Sequence, residues 1–268
     1  MDEKPEEKNV HFFGRFFICP YTIFMKEGNF LVRYSIIHNK NPREIILLRG
    51  TGCCWRKCTF CDYHLDSSKN VEENLELNRQ AISQVTGIYN HLEVINSGSF
   101  TELDSTTLTE LKLLCQEKNI NLLHFECHWL YSDKIPKLRE FFGEIGVQLK
   151  IKTGVETFDY EFRENILRKG ITEQNPDKIS EQFDECCLLF GLCGQTTESM
   201  KKDIETALSY FERVCINIFV ENKTKIYSAN GETVSQALRK LTEKSGNEPL
   251  FAHNRVIILG EKAINRDL

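Results

Sequence analysis

No stretch of this 268-residue chain is apolar for long enough to span a bilayer, so no membrane-embedded segment is expected. Positive charge is not in excess either. Against 34 Lys and Arg stand 39 Asp and Glu, a formal net charge of −5, which argues against a general electrostatic grip on nucleic acid. Internal repeats and low-complexity segments are lacking. The opening residues, MDEKPEEKNV, have neither the basic region nor the apolar core of a secretory signal and read as a loose acidic N-terminus. A second C-x-x-C unit is also missing, whereas structural zinc sites usually pair two such units or mix Cys with His. The 11 cysteines are an odd number in a chain long enough to bury a core without staples. A disulfide framework is therefore not expected, and a reducing cytoplasmic setting is. The length suits one large domain, or one with a small extension.

What is present is a cysteine loop. Cys54, Cys58 and Cys61 stand in GTGCCWRKCTFCDY with the spacing C-x3-C-x2-C. Three thiolates on one short loop can hold three irons of a [4Fe–4S] cluster and leave the fourth open for chemistry. Zinc is the alternative, with His64 completing a Cys3His set. The run Glu44–Leu48 before the loop reads as a buried strand, and Gly50 and Gly52 allow a sharp turn after it. Of the other cysteines, several lie in apolar runs, such as Cys115 and Cys215, and read as small core hydrophobes.

From residue 44 onward, strand-like and helix-like patterns alternate. Strands are expected at 44–48, 91–96, 120–127, 147–153, 186–190 and 214–220. Helical stripes are expected at Val71, Leu75, Ile82 and Val85; at Leu108, Leu111 and Cys115; at Leu138, Phe142 and Ile145; and at Met200, Ile204, Leu208 and Phe211. Ser132 is expected to cap the third of these helices, and 160–168 to form a short helix. Residues 11–38 read as one or two strands. A helix carrying Val234, Leu238 and Leu241 and a last strand at 255–259 complete the pattern. Six strand–helix repeats imply a parallel sheet.

The cysteine spacing, with aromatic Phe60 before the third cysteine, resembles the signature of the radical S-adenosylmethionine (SAM) superfamily. That resemblance implies a partial (β/α)6 TIM-type barrel at residues 44–222, flanked by an N-terminal β extension (1–43) and a C-terminal α/β cap (223–268). It also implies SAM as cofactor, bound through its amine and carboxylate to the open iron. Four further segments match in order: Asn96-Ser97-Gly98-Ser99-Phe100, the strand end His124–His128, Gly154-Val155-Glu156-Thr157, and Gly191-Leu192-Cys193-Gly194-Gln195-Thr196. By resemblance, Phe60, Tyr63, Ser97, Gly98, Ser99, Glu126, Glu156 and Arg168 contact the cofactor. Glu156 is then expected at the ribose hydroxyls and Arg168 at the carboxylate, where a guanidinium fork fits. Without a ligand, Glu126 would be a buried ion-pair member and Arg168 a helix C-terminal charge. Cys187 stands where some relatives have an acid, and Cys193 replaces a proline.

Size and motif form resemble the small family of queuine-salvage lyases, near the archaeosine-forming lyases. The implied reaction is radical cleavage of the C–N bond of queuine, releasing 7-aminomethyl-7-deazaguanine, with flavodoxin or ferredoxin as reductant. Such a base needs an acceptor for its N–H edge and a stacking surface. His128, Asn217 and Glu221 are candidates for the first, Tyr21 and Phe100 for the second. Two other readings follow from the same residues. One is a tRNA-modifying radical enzyme working with a transglycosylase. The other is a non-catalytic iron–sulfur protein.

Overall fold

The computed structural model describes residues 32–38, 41–219, 222 and 224, and the backbone of 256–261. Its centre is one curled sheet of eight strands in chain order. They are β1 (Tyr34–Ile37), β2 (Arg43–Leu48), β3 (His91–Asn96), β4 (Leu122–Glu126), β5 (Gln148–Glu156), β6 (Glu185–Phe190), β7 (Arg213–Ile218) and β8 (Val256–Glu261). β2 to β7 run parallel, each beside its sequence neighbour. β1 and β8 are added antiparallel at the two edges. The crossovers carry α1 (Val71–Ile82), α2 (Ser105–Glu117), α3 (Ile135–Gly143), α4 (Pro176–Ser180) and α5 (Thr197–Tyr210). This is the partial barrel expected from the sequence.

Alternation along each strand separates two interiors. Val94, Phe125, Ile151, Leu188 and Ile216 join the helices in one apolar core. Glu93, Lys152, Glu185 and Arg213 meet instead in a buried ionic network. Glu93 takes Arg43 Nε at 2.5 Å and Lys152 Nζ at 2.6 Å on its two oxygens. Arg213 bridges Glu93 and Glu185. His124 Nδ1 lies 2.8 Å from Glu185, and its Nε2 lies 2.6 Å from Nε2 of His91. If Nδ1–H of His124 goes to Glu185, its Nε2 accepts from His91. Lys152 also reaches Glu126, at 3.3 Å. Burial pushes the Glu93 carboxyl up, but Arg213, Lys152 and Arg43 outweigh it and hold the group well below the usual range. Glu185, likewise buried, is held down at about 2 by Arg213 and His124.

Three local expectations are corrected. Val71 is exposed; the buried face of α1 is Asn74, Asn78, Ala81 and Ile82. The two asparagines bind Arg49, through its N–H, C=O and Nε, and so fix the chain where it leaves β2. Ser132 does not cap α3. A 3-10 turn, Trp129–Lys134, runs straight into the helix, so the turn's carbonyls take the first N–H groups, and Pro136 sits in the first turn. The short helix expected at 160–168 is present at 160–166, but it is wound as a π-turn over Phe162–Ile166. The helix expected around residues 234–241, and the strand segments before residue 32, lie outside the described residues.

Candidate active site

The cysteine loop leaves the C-terminal end of β2, the end where barrels of this kind place their chemistry. Gly52 has φ +97°, and a Cβ on Gly50 would stand 2.8 Å from the carbonyl oxygen of Glu102. Glu102 holds the loop against the segment after β3. Its carboxylate accepts from Cys54 N–H at 3.0 Å and from Ser99 N–H at 2.6 Å, and its carbonyl accepts from Thr51 N–H. Burial raises the Glu102 carboxyl, and those two N–H groups oppose the shift. A Cβ on Gly98 would fall 1.7 Å from this carboxylate, so the glycine is required by the protein's own packing. Sequence reasoning passed over Glu102; the S-x-x-E spacing of Ser99 and Glu102 was the available signal.

The other end of the loop is fastened to the segment after the π-turn. Thr59 donates to the carbonyls of Leu167 and Ile166, and Trp55 Nε1 donates to that of Arg168 at 2.8 Å. The Trp55 ring lies against Gly170, where a side chain would collide with it at 2.3 Å. The same ring stacks on His128, with centroids 5.7 Å apart. His128 Nδ1 accepts from Leu130 N–H, so Nε2 carries the proton and donates to the Lys169 carbonyl at 2.8 Å. Burial and the Lys169 cation hold His128 neutral, at about 4. Both ring nitrogens are thus committed to backbone, and the geometry makes His128 a brace.

Between these loops and the sheet lies a cleft with about 850 Å³ of space, its open mouth included. It is lined by Phe60, Tyr63, Ser97, Gly98, Ser99, Glu126, His128, Glu156 and Asn217 from the expected set, together with Cys58 and Cys61. Lys152, Lys169, Cys187 and Cys215 line it too. Lys169 had not been singled out from the sequence. Its ammonium binds Glu156 at 2.8 Å and lies 5.7 Å from the Phe60 ring centroid. Glu156 adopts φ +68° beyond a bulge in β5, an uncommon conformation for a side-chain-bearing residue. Gly154 leaves room for the pair, since its Cβ would sit 2.4 Å from the Glu156 carboxylate.

Other expected residues are placed differently. Arg168 is exposed and outside the cleft lining. Phe100 is buried against Phe125, in the apolar core. Tyr21 and Glu221 lie outside the described residues. Cys58 and Cys61 open onto the cleft, while Cys54 is exposed and hydrogen-bonded to Tyr131; Cys53 lines the cleft. Among the described residues, no three Cys, His, Asp or Glu groups converge as metal ligands. Burial pushes the Cys61 thiol up to about 12 and also raises Cys58, with Lys169 opposing both shifts. The donor chemistry suits an iron–sulfur cluster: thiols on one loop, a neighbouring cation that favours thiolates, and an adjacent open cleft.

This fold, with this loop at its open end, defines a radical SAM enzyme. A solved queuine lyase from Clostridium spiroforme, bound to SAM and queuine, is 41% identical, with a TM-score of 0.76. The match covers 81% of this chain and 92% of that one. The chain belongs to the queuine lyase family. SuiB of Streptococcus suis, solved with its precursor peptide SuiA, shares the fold at 16% identity and a TM-score of 0.50, over 74% of this chain and 44% of that one. An uncharacterized protein of Methanocaldococcus jannaschii is 28% identical over 150 residues, covering 48% of this chain and 39% of that protein's length. Residues 219–268 match the model of the spore germination protein N-terminal domain.

Proposed function

We propose that this chain cleaves the C–N bond of queuine and releases 7-aminomethyl-7-deazaguanine, a salvage step for a modified tRNA base. The supporting observation is the 41% identity, over 81% of this chain, to a queuine lyase solved with SAM and queuine. The cleft is open, and it is lined by both the cysteine loop and the segments matched to the cofactor. Cys54, Cys58 and Cys61 would hold a [4Fe–4S] cluster, with Cys58 and Cys61 already facing the cleft. When bound there, the cluster and SAM supply a one-electron cleavage that yields a 5′-deoxyadenosyl radical, with a flavodoxin or ferredoxin as the reductant.

The chain's own part is placement. The segment Ser97–Ser99, pinned by Glu102, presents backbone to the cofactor's polar end. Glu156, clamped by Lys169, offers a carboxylate to paired hydroxyls. Phe60, packed among Leu167, Leu189 and Leu192, gives an apolar wall that excludes water. Glu126 and Asn217 remain as polar groups for a base, the first fixed by Lys152.

The test is anaerobic incubation of reduced protein with SAM and queuine, followed by mass spectrometry of the products. Release of the aminomethyl base with 5′-deoxyadenosine is expected. Deoxyadenosine formed without that base would reject the substrate assignment while leaving the radical SAM enzyme intact.

A further inference from the structure

Cys187 and Cys215 are facing partners in the register of β6 and β7. Both are free thiols, both are buried, and both line the cleft. As register partners their side chains stand side by side, and Cys215 Sγ donates to Asn217 Oδ1 at 3.8 Å. The neighbouring Cys215 sulfur, then burial, raises the Cys187 pKa well above the ordinary thiol value. Packing as small hydrophobes, the sequence reading of Cys215, would be served as well by alanine or valine, and it does not use the chemistry of two adjacent thiols that line the cleft.

We propose that this dithiol is the hydrogen-atom donor that completes the reaction, Cys187 and Cys215 acting as a pair. The inference rests on the function proposed above. That reaction begins by removing a hydrogen atom from a substrate carbon. When the C–N bond then breaks, the departing nitrogen takes the proton of a neighbouring hydroxyl, and the five-carbon fragment keeps the unpaired electron. An S–H bond is weaker than the C–H bonds around it. Transfer from sulfur breaks S–H, forms C–H and leaves a sulfur radical, which joins the second sulfur in a two-sulfur bond as that thiol releases its proton to solvent. One electron from the low-potential donor that the reaction already requires, and two protons from solvent, restore both thiols. No other oxidant or reductant is needed.

Thiol hydrogens exchange with solvent, so the test is turnover in deuterium oxide. The wild-type five-carbon product is expected to carry one deuterium beyond what the purified product takes up by exchange alone. C187S and C215S keep the size and hydrogen bonding of the side chains but replace S–H by a much stronger O–H. Either variant is expected to form 5′-deoxyadenosine, to release base for no more than a single turnover, and to lose most of the deuterium in the five-carbon product. Circular dichroism matching wild type would show that the sheet is intact. An independent readout needs no cofactor: diamide treatment of the metal-free protein should yield a peptide pair joined through Cys187 and Cys215. Base release with unlabelled product, unchanged labelling in both variants, or no such cross-link would each overturn the dithiol role alone. No C–N cleavage by the wild type would overturn the proposed function along with it.

Discussion

His128 illustrates how a residue can sit in a site and yet serve its walls. Its two nitrogens tie the 3-10 turn to the Lys169 loop, and its ring faces Trp55. Because burial holds the folded-state group near 4, below the usual 6.5, an unfolded chain takes up this proton first as pH falls. Stability from the neutral brace is therefore complete above about 6.5 and is lost as pH drops toward 4. His91, held at about 3 chiefly by burial, acts in the same direction. Thermal melts should show a falling midpoint over that interval, and His128→Gln should flatten part of the slope. An unchanged slope in the variant would mean that the histidine is already charged in the fold. In sequence, His128 looked like a ligand because a histidine at a strand end is equally a brace or a donor. Only the backbone groups around it distinguish the two.

At the scale of elements, the periods of strand and helix were legible: six parallel strands and three amphipathic stripes stand close to where apolar spacing puts them, while α1 is in place but buries a largely different face. The cofactor segments were legible through their order. The ionic interior of the sheet was not. Glu93 interrupts an apolar strand, whereas Glu185 and Arg213 head theirs beside Asp184 and Glu212, and none of the three carries a mark of its partner 28 to 120 residues away. Lys169 was obscured by adjacency to Arg168, since the φ of +54° at Arg168 decides which of the two side chains enters the cleft. Removing one member of the interior set should be severe. Glu93→Gln leaves Arg43 and Lys152 facing a neutral amide, and the expected loss is about 3–5 kcal/mol of stability, read by urea unfolding. A loss below about 1 kcal/mol, the range of exposed pairs, would show that water reaches these groups.

At the scale of the whole molecule, segments from both ends of the chain enter one sheet. β1 covers the free edge of β2 and β8 that of β7, so the six-stranded parallel unit leaves neither edge bare. A truncation ending at residue 254 would strip β7 of its partner. The expected outcome is aggregation, visible by light scattering, and a lower thermal midpoint. A monomeric, equally stable truncation would show that β8 is dispensable.

Among the described residues, the ionic network inside the sheet joins three cations, Arg43, Lys152 and Arg213, with three carboxylates, Glu93, Glu126 and Glu185. Such a tally closes on zero, and mutation one letter at a time cannot keep it closed. Wherever related chains have drifted here, changes should therefore come in compensating pairs, an acid lost with a base.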